Sequence, residues 1–362
     1  MVHDAASRKA EPCPRRRGGR RARESARLGA VELTTVADDE IVVHDGTSVH
    51  HRAELEPDRE YEVAGVVART LSRPGGERLC TFATVNDVHF GEVECGIIDG
   101  LPSGPTFRAA EGDEPYPVVM NRGAIAEIQA IDPAAVVVKG DLTAEGTVEE
   151  YEDFLDAYRV FGDRLHHVRG NHDAFHGATF ASVAPFSVDL PGVRLAVIDT
   201  TIPARESGRV TDETLDWLDE LAAASDRPVL VFGHHHSWDP ASRHRPDNYF
   251  GINPDDSEAL IALVARRTAI RGYFAGHTHR NRVRRFSATG AVPWVEVACV
   301  KDYPGSWAEY RVFESGILQV HRRISTPEAL RWTEQTRHMF AGSYADYALG
   351  RIDDRCFGVG VD

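Results

Sequence analysis

Short apolar runs punctuate the chain from about residue 31 onward, and their spacing changes character along its length. Residues 31–85 are β-rich. The runs 61–70 (YEVAGVVART) and 79–85 (LCTFATV) flank Arg73-Pro74-Gly75-Gly76-Glu77, and two such runs around a Pro-Gly-Gly turn predict a hairpin. Beyond Val85, strand and helix patterns alternate. Residues 134–139, 166–169, 195–199, 229–232 and 272–275 predict strands. Residues 147–161, acidic at their start, predict a helix. So do residues 211–224, with Leu215, Leu218 and Leu221 on one face, and residues 255–267, opened by Asp255 and Glu258 and closed by Arg266-Arg267. Alternation of this kind predicts a layered α/β fold. Residues 292–323 turn β-rich again around Glu314-Ser315-Gly316, which predicts a second hairpin, and Thr326-Pro327 reads as an N-cap followed by proline at the first helical position. Residues 91–117, rich in Gly, Pro and acids, predict a long loop. No internal repeat is present. The predicted organisation is a disordered Arg-rich tail over 1–30, a β-rich extension over 31–79, a central α/β domain over 80–325, and a C-terminal helix and tail over 326–362.

Composition narrows the classes. The chain has 362 residues, 42% hydrophobic and 27% charged, which suits about two domains or one large domain with appendages and excludes a wholly disordered or collagen-like chain. No apolar run approaches the roughly 18 residues of a membrane-spanning helix. Residues 1–30 carry nine Lys/Arg and three Asp/Glu, and the rest carries 32 basic and 53 acidic side chains. Such an acidic body is a poor general binder of nucleic acid or anionic membrane. Any phosphate-bearing substrate needs a local positive centre. Residues 1–30 read as disorder, as a nucleic-acid-binding arm, or as sequence upstream of a true start near Val31. Arg15-Arg16-Arg17 and Arg20-Arg21 are followed by no apolar stretch, so they do not read as a signal peptide. Cys13, Cys80, Cys95, Cys299 and Cys356 are scattered, with no CxxC, which points away from a disulfide framework or thiolate zinc site and toward a cytoplasmic setting.

The chemistry sits where strands end. Five strand-like runs each finish in a polar cluster: Asn86-Asp87-Val88-His89, Lys139-Gly140-Asp141, Arg169-Gly170-Asn171-His172-Asp173, Gly233-His234-His235-His236 and Gly276-His277-Thr278-His279. In open α/β folds, sites form at the carboxyl ends of strands. Carboxylate, imidazole and carboxamide donors without thiolate suit Fe, Mn, Zn or Co. Seven donors exceed one tetrahedral ion and fit two if one carboxylate is shared. In Asp-x-His and His-x-His, an extended backbone points both side chains the same way. A glycine before the donor in four clusters permits close backbone approach. Singly, each cluster is also an ordinary turn or a solvated loop; the five together, in order, are what carry weight. His44, His50, His51, His166, His167 and His244 lack this context and read as surface or structural residues.

Over roughly residues 80–325 the ordered series Asp87-x-His89, Gly140-Asp141, Gly170-Asn171-His172-Asp173, Gly233-His234 and Gly276-His277-x-His279 resembles the signature of the calcineurin-like metallophosphoesterases, in the flavour of their cyclic-nucleotide and glycerophosphodiester phosphodiesterases. The resemblance implies a four-layer αββα sandwich with a dinuclear centre. Asp87, His89, Asp141 and His279 would hold one ion. Asp141, Asn171, His234 and His277 would hold the other, with Asp141 bridging and His234 preferred over His235. It implies hydrolysis of a phosphate ester by attack of a metal-bridging hydroxide on phosphorus, with His172 protonating the leaving oxygen and Asp173 orienting or charge-stabilising the His172 imidazole. Purple acid phosphatases, a related branch, carry a tyrosine shortly after Gly-Asp; Leu142, Thr143 and Ala144 stand here instead, so no tyrosinate–iron colour is expected.

The expected substrate is a small phosphodiester, cyclic AMP among the candidates. Residues 91–117 (with Glu92, Glu94, Asp99, Glu111, Asp113 and Glu114) and 237–253 (with Trp238, His244, Tyr249 and Phe250) read either as a lid or as cover for a sheet edge. An acidic lid disfavours long polyanions. The alternatives are a phosphomonoesterase, nuclease or pyrophosphatase using the same site, and a non-catalytic scaffold of the same fold.

Overall fold

Runs that are apolar at nearly every position become the inner strands of two six-stranded sheets. The computed structural model describes residues 31–98, 101–181 and 183–360; the Arg-rich segment 1–30, with Cys13, and Asp99 lie outside the described residues. One sheet has the order Leu165–Val168, Val136–Lys139, Arg78–Val85, Ser306–Phe313, Gly316–Arg323, Phe357–Gly360. Its first three strands are parallel and the rest antiparallel. The other sheet has the order Phe186–Leu190, Val193–Val197, Val229–Phe232, Ile270–Ala275, Trp294–Glu296, Arg282–Arg284, with its four central strands parallel.

Parallel strands buried on both faces carry two sets of apolar side chains. Phe82, Val137, Leu195, Val197, Leu230, Phe232, Phe274 and Tyr310 share one core between the sheets. Phe82 stacks on Tyr310 at 4.5 Å between ring centroids and meets Phe232 edge-on at 6.0 Å. Ala83, Val85, Val136 and Val138 point the other way, into a core completed by helices Tyr116–Ala130, Val148–Tyr158 and Pro327–Thr336. Ala196, Ile198, Val229 and Val231 likewise meet helices Asp212–Ala224 and Pro254–Arg266. The helices start where their caps stand. Thr147 accepts from the Glu150 amide while the Glu150 carboxylate reaches back to the Thr147 amide, closing a capping box. Among the described residues no helix is long and apolar enough to cross a membrane.

Three stretches differ from the sequence pattern. The 61–70 run does not pair with 79–85. It folds on itself as Glu60–Val63 against Val66–Arg69, around Ala64 and Gly65 with φ of 50° and 80°. Both central residues of this two-residue turn are left-handed, as a primed hairpin turn requires, and alanine there hid the break. Arg78–Val85 instead joins the main sheet between Val136–Lys139 and Ser306–Phe313. The 91–117 stretch is not simply a loop: it contains strands Cys95–Ile98 and Leu101–Phe107, paired antiparallel. The C-terminal tail is not only helical. After helix Tyr344–Leu349 it returns as the edge strand Phe357–Gly360, whose four residues are too few to show an alternating pattern.

The N-terminal strands Val31–Val36, Ile41–Asp45 and Ser48–Arg52 form a separate sheet. Buried ion pairs fasten this layer to the central strands. Arg311 donates to Asp38 and Asp39 (2.6 Å each), to Glu40 (2.6 Å) and to Glu309 (2.8 Å). Arg322 bridges Glu40 and Glu309 as well. Removing one member of a buried ionic cluster strands its partners without compensation. Arg311→Met is expected to cost about 3–5 kcal/mol, read as a lowered urea midpoint at unchanged denaturant slope.

Candidate metal centre

The polar clusters follow strands whose parallel runs end on the same side of each sheet. Asp87 and His89 follow Arg78–Val85, Asp141 follows Val136–Lys139, and Asn171 and His172 follow Leu165–Val168. His234 and His235 follow Val229–Phe232, and His277 and His279 follow Ile270–Ala275. The structure gathers these side chains in one place. Asp87, His89, Asp141 and His279 offer donor atoms all within 4.8 Å of one another, as do His234, His235 and His277. Asp141 links the two groups: its Oδ2 lies 3.5 Å from His89 Nε2 and 3.3 Å from His234 Nε2. Asn171 Oδ1 is 3.0 Å from His234 Nε2.

The backbone reaches this arrangement by a route the pattern did not suggest. Asp87, His89, Asp141, His277 and His279 all have positive φ, between 48° and 67°. The Asp-x-His and His-x-His pairs are therefore not extended; a left-handed residue on each side of an intervening one sends both side chains inward. A left-handed residue that is not glycine costs roughly 1–2 kcal/mol, and such strain clusters at ligand clamps. Gly140, at φ 87°, permits the close approach: a Cβ there would stand 2.5 Å from His234 Nδ1 and 2.8 Å from the Gly170 nitrogen.

The donor set fits metal ions. Asp87, Asp141 and Asp173 are all buried, and buried carboxylates require compensating charge. His234 Nδ1 donates to the Lys139 carbonyl at 2.8 Å, which turns Nε2 toward Asn171 Oδ1 and Asp141 Oδ2. Three acceptors then face one another unless a proton or cation lies between them. Burial disfavours a charged His234, but Asp141 outweighs it and raises the pKa to about 9. Neither ring nitrogen of His89, nor His277 Nε2, has a hydrogen-bond partner although all are buried, and such orphaned imidazole nitrogens are what a metal satisfies. Burial pushes the Asp141 carboxyl up, but His234, His172 and His89 together hold it well below the usual carboxylate range.

A surrounding layer fixes these groups. Asp87 Oδ1 accepts from the His277 amide at 3.0 Å, and Asp87 Oδ2 from the Asn86 amide group. Buried Lys139 holds Asn86 Oδ1 at 2.7 Å; burial lowers its pKa to about 7, against the pull of Asp87. His89 Nδ1 is 3.4 Å from Glu92, whose carboxylate is held by Lys301 at 2.9 Å. Lys301 in turn meets Asp302 at 3.0 Å.

Asp173 does not orient the His172 ring. The His172 Nδ1 donates instead to the Ala144 carbonyl at 2.6 Å. The Asp173 carboxylate accepts from the amides of Leu142 (3.0 Å), Thr143 (2.8 Å) and Gly170 (2.7 Å) and from the Thr143 hydroxyl (2.6 Å). It ties the Gly-Asp loop to the Gly-Asn-His loop, a backbone role invisible in residue types alone.

A cavity of about 570 Å³ opens over the centre, lined by Asp141, Asn171, His172, His277 and His279. The segments read as a lid supply Glu92, Gly96 and Ile97 from one side and Phe250 from the other. Trp238 is buried instead, its indole N–H on the His244 carbonyl at 3.1 Å. Met339, Phe340, Ser343, Tyr344 and Tyr347 complete the wall. The sequence reading missed them, along with Lys301 and Asp302; the apolar and aromatic spacing at 339, 340, 344 and 347 was the available signal.

Residues 81–281, more than half of the chain, match the calcineurin-like phosphoesterase family, and the chain belongs to that family. A probable cyclic nucleotide phosphodiesterase of Synechococcus sp. is 25% identical over 50% of this chain and 72% of its own length. A glycerophosphodiester phosphodiesterase of Enterobacter lignolyticus is 31% identical over 41% of this chain and 56% of its own length, so the alignment spans little more than half of that relative. The solved dimetal phosphatase of Danio rerio superposes with a TM-score of 0.51 at 16% identity, covering 68% of this chain and 97% of that one; this is a likeness of fold.

Burial and the nearby Asp141 charge raise the Asp173 pKa to about 6, against the pull of its donors. A carboxyl whose folded pKa lies above its ordinary value holds its proton more tightly when folded. Its contribution to stability therefore falls as pH rises from about 4 to about 6. Asp173→Asn is expected to remove that portion of the pH slope and, by setting an amide group against amide donors, to cost about 1–3 kcal/mol. Urea titrations across this pH range measure both.

Proposed function

We propose that this protein hydrolyses small phosphodiesters at a centre of two transition-metal ions, drawn from Fe, Mn, Zn and Co. The observation that carries this reading is the convergence of two donor groups on Asp141, with His172 lining the cavity directly above. Asp87, His89, Asp141 and His279 would hold one ion, and Asp141, Asn171, His234 and His277 the other. Bound there, such a pair supplies Lewis acidity toward phosphoryl oxygens and a lowered pKa for water. The chain's own residues do the rest. Asp141, between the groups, sets the spacing of the two sites. The Ala144 carbonyl fixes the His172 tautomer with Nδ1 protonated, so Nε2 is the nitrogen left to exchange a proton with the leaving alcohol. His235, with Nδ1 on Thr200 Oγ1 at 2.8 Å, stands behind His277.

The diester preference draws on the relatives, named as cyclic nucleotide and glycerophosphodiester phosphodiesterases, and cyclic AMP is one candidate. Around the cavity the carboxylates of Glu92, Glu206 and Asp302 outnumber Lys301, which pairs with two of them, and this acidic balance disfavours a long polyanion. A panel of bis-p-nitrophenyl phosphate, p-nitrophenyl phosphate, cyclic nucleotides and single-stranded DNA, run on protein loaded separately with Mn, Fe, Zn and Co, tests the reading. Preferential turnover of monoester or DNA would overturn the diester assignment.

Two variants probe the roles. His172→Ala is expected to keep both metals and lose roughly 10²–10⁴-fold in kcat; unchanged turnover removes His172 from proton transfer. Asp141→Asn is expected to weaken both ions together, measured by metal analysis after dialysis, and loss of one ion alone contradicts the shared carboxylate.

A further inference from the structure

Soluble proteins scatter their exposed apolar side chains, and a concentration of them marks a contact surface. Among the described residues, three of the large apolar side chains left exposed line the one cavity over the metal centre: Ile97 at 42% exposure, Phe250 at 49% and Tyr347 at 44%. They arrive from three separate segments: the Cys95–Ile98 strand, the loop before helix Pro254–Arg266, and helix Tyr344–Leu349. Three segments far apart in the chain thus leave apolar surface facing one cavity.

The wall is held in place. Tyr347 donates its hydroxyl to the Thr278 carbonyl at 2.9 Å, between His277 and His279, and the Arg280 guanidinium lies 5.1 Å from its ring centroid. Tyr344 donates to Asp302 at 2.6 Å. Phe340 and Ala341 both have positive φ, 51° and 56°, and the hairpin backbone at Gly104 backs directly onto them. The Phe250 ring centroid lies 4.0 Å from that of His277, at 31° between planes. Flat rings and an aliphatic branch therefore border the space next to His277 and His279, on a cavity that also holds Asp141, Asn171 and His172.

Resting on the reading of the floor as a phosphoesterase centre, we propose that Ile97, Phe250, Phe340 and Tyr347 form a selectivity wall that receives a planar apolar ring carried by the ester. The protein then favours phosphodiesters bearing an aryl or heterocyclic group over those bearing glycerol or a short alkyl chain. The geometry suits it: aromatic faces pair with flat rings at offset or edge-on contacts, and the cavity size lies in the range of small-molecule sites.

The test holds the metal-binding group constant. Two phosphonate monoesters of equal charge, one with a phenyl and one with a glyceryl group, compete against hydrolysis of bis-p-nitrophenyl phosphate by the metal-loaded protein. The phenyl compound is expected to inhibit at least about tenfold more tightly. Phe250→Ala, a half-exposed position where truncation leaves the core intact, is expected to bring the two inhibition constants within about threefold. Phe340→Ala is the second variant, and Phe340→Tyr is expected to restore the preference. Equal inhibition in the parent protein, or a preference that survives both alanine variants, overturns the wall while leaving the phosphoesterase reading intact. No turnover of any phosphate ester with any of the four metals overturns that reading and the wall with it.

Discussion

Negative charge buried at the ends of parallel strands is the constraint on which the rest of this structure depends. Asp87 and Asp141 are withdrawn from water among imidazoles, of which both nitrogens of His89 and Nε2 of His277 find no hydrogen-bond partner in the protein. A folded chain tolerates this only where positive charge, as a protonated imidazole or a bound cation, completes the arrangement. The two-sheet scaffold makes that completion feasible. Its inter-sheet core, with Phe82, Phe232, Phe274 and Tyr310 in mutual contact, fixes where the strands end, and so fixes the loops that bear the donors.

Around this centre the fold separates two tasks. Atoms that would meet metal come from short loops after strands, each stiffened by its own hydrogen bonds: Asp173 across the Gly-Asp and Gly-Asn-His loops, Asn86 and Lys139 behind Asp87, Glu92 and Lys301 behind His89. Atoms that would meet the organic part of a substrate come from strand Cys95–Ile98, from Phe250 in the loop before helix Pro254–Arg266, and from the residues beyond helix Pro327–Thr336. Lys301, Asp302 and Tyr344 form a polar seam between the two. Phe250, packed against His277, is where the two sets of groups meet.

What the amino-acid order reveals follows the same division. Val229–Phe232 is legible because four successive apolar residues end abruptly at Gly233, and the site is legible because donors recur after such runs. The Ala64-Gly65 turn is not, because alanine gives no hint of a left-handed backbone. The strand Phe357–Gly360 is not, because its pairing partner lies some forty residues away and its own pattern is four residues long. The role of Asp173 is hidden for another reason: its partners are backbone amides, which every residue possesses. The aromatic wall escapes because its members are near one another only after the tail has folded back.

The left-handed conformation of Asp87, His89, Asp141, His277 and His279 has a mechanical consequence. The distortion sits on the very residues that would grip the ions, and protein hydrogen bonds such as the His277 amide to Asp87 and the Leu142 amide to Asp173 already hold the bend. In a chelated molecule the sheets would stay as they are, and the freedom gained would be confined to the three loops that carry these residues. Loading would then tighten the rim of a rigid frame and leave its depths unchanged.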